Sequence, residues 1–460
     1  MQTPDLANPA PPTARPSRFR QYTVAGLFLL LLSILPCWSL GYVIFQPADA
    51  MECLKKLYWS IDFQLGRQEA PSIQTRWRTI QNSTAAFFQS TDVPSFLQAG
   101  RWYSICAHGG IQRLLGRDYV NDPDPHHDIA RMRNGCLTWG VQIGRANINT
   151  EHVLKSAENL RTFKAFLDKQ GIPVLFVVFP HKIHCRDSQL PRGVADAANP
   201  AADLFLEQLR KWDIPCFDAR QILAENPSEH YRLFQQFDHH WKQEYAILTF
   251  QHLAPKLRDC GITVPPDVLS LEPYSLQTRS QETPVWDGSQ IRRVGSLYCS
   301  PRPPVSTRFC STKPEYANDL VFFDSETAEI LNQKIPDGLS PEDETQTRSL
   351  LKSMQDDFAG NLTHKLVLNH RLSNTNGKKL LLIKDSFAAA MLDILARSFR
   401  QVDEIDLRNF NRSAADHVLQ TSPDLVIISY NPDCIAGTND PLSPQLFDFM
   451  SVSTERNDTP

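Results

Sequence analysis

The chain has 460 residues, of which 42% are hydrophobic and 21% are charged. This composition is that of an ordinary globular protein, and it excludes a collagen, a coiled coil and a wholly disordered chain. The 47 basic and 51 acidic residues give a net charge of −4, so no basic excess indicates nucleic acid as a partner. The length predicts two or three domains.

An uncharged apolar segment near the amino end predicts a membrane-spanning helix. Its centre, residues 24–45, reads VAGLFLLLLSILPCWSLGYVIF. At about 1.5 Å of rise per residue this run covers roughly 33 Å, enough to cross the hydrocarbon core of a bilayer. A cleaved signal peptide and a buried core helix are the alternatives, but the run is long for a signal peptide and no clear cleavage site follows it. We therefore predict a transmembrane helix over residues 22–46.

The charges around this segment predict its orientation. Arg15, Arg18 and Arg20 precede it, and positively charged flanks stay on the cytoplasmic side of a membrane. Residues 1–21 are then a cytoplasmic tail, and the chain after about residue 47 is periplasmic or otherwise extracytoplasmic. The sequence predicts a single-pass membrane protein.

Ten cysteines occur, and none of them forms a C-x-x-C pair, so a structural zinc site is not expected. Cys106 with Cys136, and Cys299 with Cys310, bracket two loops. In an oxidising compartment either pair could form a disulfide, and buried free thiols are the alternative.

Strands and helices alternate in two stretches of the chain, which predicts an α/β sandwich around a mostly parallel sheet. We assign residues 47–150 to a membrane-proximal region, residues 151–260 and 375–450 to a catalytic domain, and residues 261–374 to an insertion or lid. The predicted elements are a helix over 151–167, a strand over 174–179, a helix over 202–212, a strand over 214–217, a helix over 246–257, a strand over 380–383, a helix over 388–399, a strand over 404–407, a helix near 412–420 and a strand over 425–429.

Ser386 lies where a predicted strand meets a predicted helix, in the segment LLIKDSFAAA of residues 381–390. Ligands of such sheets bind at the carboxyl ends of the strands. A serine there can act as a nucleophile whose own backbone N–H stabilises the oxyanion. The alternative is that Ser386 or Asp385 only caps the helix.

A second motif, Phe237-Asp238-His239-His240-Trp241, carries an acid–base pair. Residues i and i+2 share a face in an extended stretch, so Asp238 can bond to His240 and hold its imidazole for proton transfer. Two structural histidines near a helix start are one alternative. A metal site built from the Asp-His-His run is the other, although no Asp-x-Asp companion completes a two-metal centre.

Three motifs follow one another in a characteristic order. Residues 237–246 read FDHHWKQEYA, residues 381–410 read LLIKDSFAAAMLDILARSFRQVDEIDLRNF, and residues 426–431 read VIISYN. This set resembles the DHHW family and the alginate O-acetyltransferase group of AlgJ/AlgX-like proteins. The resemblance covers roughly residues 150–260 and 375–435, and it implies an SGNH hydrolase-like, flavodoxin-like three-layer sandwich with a permuted motif order.

The same resemblance implies the roles of individual residues. Ser386 would be the nucleophile, His240 the general base and Asp238 its orienting carboxylate, with no metal and no cofactor. By the resemblance, Arg408, Tyr430 and Asn431 would border the pocket and bind substrate. Trp241 could also bind substrate by stacking on a sugar, with a core side chain as the alternative.

These features predict a membrane-anchored O-acetyltransferase, or acetylesterase, that modifies an exported or cell-surface polysaccharide. Because acetyl-CoA is not expected outside the cytoplasm, the resemblance implies a multi-pass membrane O-acyltransferase as the partner that supplies acetyl groups. The alternative is a non-catalytic polysaccharide-binding or scaffold subunit of an export complex.

Overall fold

The computed structural model describes residues 95–122, 127–139, 148–280, 288–299, 306–316, 319–323, 364–373, 377–408, 410, 412–437 and 443–451. The predicted tail and transmembrane helix, residues 1–46, lie outside these ranges. Within them, the helices are all too short or too polar to cross a bilayer.

The strands are numbered in chain order over the described residues. They are β1 Tyr119–Val120, β2 Ile129–Arg131, β3 Leu137–Trp139, β4 Val174–Val178, β5 Cys216–Asp218, β6 Tyr274–Ser280, β7 Ser306–Thr312, β8 Leu320–Phe323, β9 His364–Asn369, β10 Lys379–Lys384, β11 Gln401–Ile405 and β12 Leu425–Tyr430.

The α-helices are α1 Ser95–Leu114, α2 Thr150–Lys169, α3 Ala198–Lys211, α4 Pro227–Arg232, α5 Gln243–Asp259, α6 Pro266–Leu269, α7 Ile291–Val294, α8 His370–Ser373, α9 Leu392–Ala396, α10 Ala414–Thr421 and α11 Pro432–Ala436. Short 3₁₀ helices occur at Ala219–Gln221, Pro314–Tyr316, Ser386–Ala390 and Ser443–Phe447.

The chain divides into two compact units. The first comprises residues 1–123 and 291–302, and its described part contains α1, β1 and α7. Glycines let these helices approach closely, since a Cβ on Gly109 would lie 1.7 Å from the carbonyl oxygen of Val294 and one on Gly295 would lie 2.5 Å from the Cα of Cys106. Such contacts exclude any larger residue at either position.

The second unit, residues 124–290 and 303–460, is built on a seven-stranded sheet in the order β5-β4-β12-β10-β11-β9-β8. The first five strands in this order, β5, β4, β12, β10 and β11, pair in parallel. The last two pairings, β11 with β9 and β9 with β8, are antiparallel. β4, β10 and β12 are buried on both faces, which explains their nearly continuous apolar sequences. The sheet is therefore mixed rather than uniformly parallel.

Helices cover both faces of this sheet and form two cores. One face carries α5 and α9, where Phe250 and Leu395 are fully buried. The other carries α2, α3 and α10, where Phe163, Phe205 and Val418 are buried. This three-layer arrangement is the predicted sandwich, and it directs the carboxyl ends of β4, β10 and β12 toward one edge of the sheet.

The predicted elements of the catalytic domain are present, with one clear error. The single helix predicted over residues 388–399 is interrupted: a 3₁₀ helix at Ser386–Ala390 is followed, after Met391, by the short helix Leu392–Ala396. The strand predicted over residues 404–407 also begins earlier, at Gln401. Phe387, Ala388 and Met391 of this segment all pack into one core.

Parts of residues 261–374 contribute directly to this unit. β8 and β9 extend the central sheet, and β6 pairs with β7 in a separate hairpin. A lid function for the segment stays a prediction. Of the cysteines proposed for disulfides, Cys106, Cys136 and Cys299 are buried thiols that form no disulfide.

Candidate active site

Ser386 lies directly beyond the carboxyl end of β10, as predicted. Asp385 separates it from the strand and caps the 3₁₀ helix, with its carboxylate accepting the N–H of Phe387 at 2.9 Å. The same carboxylate accepts the backbone N–H and the side-chain amide of Asn431 at 2.6 and 2.8 Å. Burial raises the pKa of Asp385, which these amide donors oppose. Asp385 is therefore the cap, and Ser386, which is half-buried, is left with its hydroxyl available.

His240 contacts Ser386 through one ring nitrogen and Asp238 through the other. Nε2 lies 2.9 Å from the Ser386 Oγ, and Nδ1 lies 2.6 Å from Oδ1 of Asp238. The carboxylate accepts the Nδ1 proton, so Nε2 is left as an acceptor for the hydroxyl proton of Ser386. The sequence predicted the Asp238–His240 bond, and the fold brings that pair to Ser386 across 146 positions of the chain.

The backbone around the pair is a bent loop over residues 236–240, not the extended stretch that the sequence predicted. Phe234 and Trp241 form an antiparallel bridge, and the N–H of Gln235 donates to the carbonyl of His240 at 3.0 Å. The loop therefore closes on itself just before α5 begins. Asp238 and His240 come together because a carboxylate oxygen of Asp238 accepts the backbone N–H of His240 at 2.9 Å, the turn that an aspartate forms with the residue two positions on.

The second carboxylate oxygen of Asp238 is held by Ser289. Oδ2 accepts the backbone N–H of Ser289 at 2.7 Å and its hydroxyl at 2.8 Å. Burial by itself raises the pKa of Asp238, but the hydrogen bond from His240, the two neighbouring imidazoles and the Ser289 N–H together lower this pKa well below its ordinary range. Asp238 is therefore ionised at any pH at which the fold would work.

Ser289 was not predicted from the sequence. It lies in residues 261–374, outside the motifs, and a lone Gly-Ser pair gives no chemical signal. The structure also explains why residue 288 is a glycine, because a Cβ there would lie 2.3 Å from the carbonyl oxygen of Phe237. Only glycine lets the chain come close enough for Ser289 to reach Asp238.

Replacing Gly288 by alanine is expected to lower turnover by about 10- to 100-fold, because a displacement of roughly 1 Å at a catalytic group costs that much. The measurement is hydrolysis of an aryl acetate beside a thermal unfolding curve. Gly261→Ala is the matched control: Gly261 has a positive φ and no neighbour within 4 Å, so the control loses stability but keeps turnover. A fully active Gly288→Ala protein would show that Ser289 does not need this approach.

His239 is linked to the Asp238 carboxylate through Ser289. Its Nδ1 lies 3.0 Å from the Ser289 Oγ; since that hydroxyl donates to Asp238, it accepts the Nδ1 proton of His239. Burial and the nearby His240 lower the pKa of His239 to about 3, so its imidazole is neutral. Its ring also lies 3.8 Å, centroid to centroid, from that of His240.

The Asp-His-His run offers a possible metal site as well. One ligand atom from each of Asp238, His239 and His240 lies within 4.8 Å of the others. Both carboxylate oxygens of Asp238, however, already accept two hydrogen bonds each. The hydrogen-bonded arrangement therefore satisfies the group without an ion, and a metal would have to displace the bonds to Ser289 or His240.

Two of the residues predicted to bind substrate are core residues instead. Tyr430 is 0% exposed and donates its hydroxyl to the carbonyl of Leu446 at 2.6 Å. Trp241 is 3% exposed, donates its indole N–H to the carbonyl of Phe387 and packs against Phe179. The prediction that these two side chains border the pocket is corrected, because both hydrogen-bonding groups are already satisfied inside the protein. Trp241 anchors the loop to the Ser386 segment.

Arg408 and Asn431 lie on the Asp385 side of the site. Arg408 forms a two-point ion pair with Asp406, at 2.9 and 2.6 Å, and its charge opposes the upward shift of the Asp385 pKa. Asn431 is 5% exposed and bonds to Asp385. Asn431 thus supports the nucleophile's corner, while contact of Arg408 with substrate stays a prediction.

The seven-stranded α/β sandwich, with a serine, a histidine and an aspartate at one edge of its sheet, is similar to SGNH hydrolase-like domains. In agreement, residues 143–331 match the family described as SGNH hydrolase-like domain, acetyltransferase AlgX. This match contains Asp238 and His240 and ends before Ser386. No curated protein matches the chain.

Several solved structures are similar to this chain. Bacillus cereus PatB1 is 17% identical, with 70% of this chain and 99% of that chain covered and a TM-score of 0.50. A DHHW family protein from Eubacterium siraeum is 13% identical, with 73% and 99% covered and a TM-score of 0.48. The O-acetyltransferase domain of Pseudomonas putida AlgJ is 12% identical, with 69% and 98% covered and a TM-score of 0.39. The predicted resemblance to the DHHW and AlgJ/AlgX-like group is confirmed.

Proposed function

We propose that this chain is an O-acetyltransferase that transfers acetyl groups to a polysaccharide through Ser386, His240 and Asp238. The observation that carries the proposal is the continuous hydrogen-bonded line from Asp238 Oδ1 to His240 Nδ1 and from His240 Nε2 to Ser386 Oγ, at 2.6 and 2.9 Å. The match to an acetyltransferase family over residues 143–331 supports acetyl as the group that is transferred.

In the first half of the reaction, Ser386 Oγ attacks the acetyl carbonyl carbon and its proton passes to His240 Nε2. The tetrahedral intermediate then collapses, the bond to the donor oxygen breaks, and His240 returns the proton to that leaving oxygen. The product is acetyl-Ser386 and the free donor alcohol. Throughout, the Asp238 carboxylate stabilises the imidazolium that forms beside it.

In the second half, a sugar hydroxyl attacks the acetyl-serine and gives its proton to His240. Collapse releases the acetylated sugar, and His240 returns the proton to Ser386 Oγ. Water in place of the sugar would give acetate, so the same residues would serve an acetylesterase. The proposed donor is a multi-pass membrane O-acyltransferase, because the proposed location has no acetyl-CoA.

A serine-directed fluorophosphonate tests the proposal on the full chain in detergent. Covalent labelling that is lost in Ser386→Ala, together with aryl acetate turnover that is insensitive to EDTA, is the expected result. Absence of both labelling and turnover would favour the non-catalytic polysaccharide-binding or scaffold subunit. Turnover that survives in folded Ser386→Ala but is abolished by EDTA would favour a metal at Asp238, His239 and His240.

The wild-type turnover should fall as the pH falls, because a general base must be unprotonated to take the serine proton. His239, with a pKa of about 3, and Asp238, with a pKa lower still, contribute no step near neutral pH. A pH–rate profile of wild type and His239→Asn checks this. We expect both to have the same acid limb, since the asparagine amide can still donate to Ser289; loss of that limb in His239→Asn would make His239 the base instead.

We also propose that residues 22–46 anchor the protein with its catalytic domain outside the cytoplasm, on the strength of the arginines before the apolar run. Alkaline phosphatase fused to the carboxyl end should be active, because that enzyme folds only outside the cytoplasm. A cytoplasmic reporter that works at the same position would reverse the topology and remove the argument about the donor.

A further inference from the structure

Lys182 is a buried cation beside the active site that the mechanism above does not use. It follows the carboxyl end of β4, and it is 1% exposed. Its ammonium donates to the backbone carbonyl of Asp238 at 2.6 Å and to that of Gln236 at 3.1 Å. A lysine this deeply buried is uncommon unless its charge is well satisfied.

The two carbonyls belong to the loop that carries the acid–base pair. Asp238 is thus held through its main chain by Lys182, through Oδ1 by His240, and through Oδ2 by Ser289. Lys182 and Ser289 reach the loop from segments on either side of it in the chain. Together they determine where the peptide between Asp238 and His240 lies.

We propose that Lys182 is a positioning residue: its ammonium holds the main chain of residues 236–238 so that Asp238 keeps His240 directed at Ser386. This inference rests on the proposed function, because it assumes that the three residues act together in acyl transfer. Hydrogen bonds from a charged donor are about twice as strong as neutral ones, so this contact can resist the movement of the imidazole during proton transfer.

The position also suits lysine chemically. Two carbonyl oxygens that converge on one point need a donor with several protons and no acceptor, which an ammonium supplies. Methionine has a similar length but cannot donate, so Lys182→Met would leave both carbonyls without this partner while filling most of the volume. Arginine keeps the charge and the donors in a planar, bulkier group.

The test compares Lys182→Met, Lys182→Arg and the control Lys211→Met in the full chain, with aryl acetate turnover, fluorophosphonate labelling rate and thermal unfolding as readouts. Lys211 is about half exposed on α3. In Lys182→Met we expect kcat to fall about 100-fold with KM changed less than about threefold, and labelling to slow in parallel, as for a displaced catalytic group. The kcat of Lys182→Arg should be about tenfold or more above that of Lys182→Met. The kcat and KM of Lys211→Met should match those of the wild type.

A folded Lys182→Met protein that keeps kcat and labelling within about threefold of the wild type would overturn the inference. So would a rise in KM at unchanged kcat, which indicates substrate contact rather than positioning. If Lys182→Met does not fold, Lys182→Gln replaces it in the same comparison. A wild-type protein that is neither labelled nor active defeats the proposed function itself, which is a different result.

Discussion

Ser386→Ala is expected to lower acetyl-ester turnover by about 10⁴- to 10⁶-fold, and His240→Ala by a similar factor. The double variant Ser386→Ala/His240→Ala should be little worse than either single variant. The reason is that His240 acts only by moving the proton of Ser386: without the hydroxyl there is no proton to move, and without the imidazole the hydroxyl is a weak nucleophile. The three proteins and the wild type are compared by single-turnover and steady-state kinetics.

Two surface variants control for general damage. His252 lies on the exposed side of α5 and Ser228 is exposed on α4, so His252→Ala and Ser228→Ala should keep turnover near that of the wild type. All variants should unfold near the wild-type temperature, because the Ser386 and His240 side chains are partly exposed. If the losses of the single variants multiplied in the double variant, the two residues would be acting independently and the proposed relay would be wrong.

Asp238→Asn should lower turnover by about 10⁴-fold, the effect of removing an orienting carboxylate from such a relay. The two carboxylate oxygens accept four hydrogen bonds, two from His240 and two from Ser289. An asparagine amide has one oxygen, so its NH₂ must face donors on one side. If the amide oxygen keeps the bonds to Ser289, His240 loses its acceptor, and its proton can move to Nε2, where it blocks the serine.

The control for this variant is Asp168→Asn, since Asp168 lies about half exposed in an ion pair with Lys164 on α2. We expect that control to keep full turnover. Asp238→Asn should label slowly with the fluorophosphonate and should also unfold at a lower temperature, because a buried donor is left facing another donor. Turnover close to that of the wild type in a folded Asp238→Asn protein would remove Asp238 from the mechanism.

Much of the catalytic unit could be predicted from the sequence because its central strands are buried on both faces. The apolar runs of β4, β10 and β12 are unlike any surface segment, so their positions were predicted to within one or two residues. The Asp238–His240 contact was predictable because it joins residues only two positions apart, although the structure forms it in a bent loop, where Asp238 also accepts the His240 N–H, and not in the predicted extended stretch.

Contacts between distant segments were not predictable in this way. The antiparallel strands β8 and β9 contain short apolar runs, but they lie within residues 261–374, where no alternation of strands and helices marks them. Tyr430 was assigned to the pocket by the family resemblance, and Trp241 was left open between stacking on a sugar and a place in the core. Their burial depends on which partners the fold supplies: the Leu446 carbonyl for one and the Phe387 carbonyl for the other.

The sequence by itself therefore determined the class of fold, the corner that holds Ser386 and the pairing of Asp238 with His240, because these depend on burial pattern and on short spacings. Only the tertiary structure decided that His240 reaches Ser386 and that Ser289 binds the second carboxylate oxygen of Asp238. It also decided that Lys182 binds the backbone carbonyls of the loop that carries Asp238. Each of these contacts joins residues at least 50 positions apart. A local sequence pattern cannot predict a contact between residues so far apart in the chain. Such contacts depend on the order of the strands in the sheet.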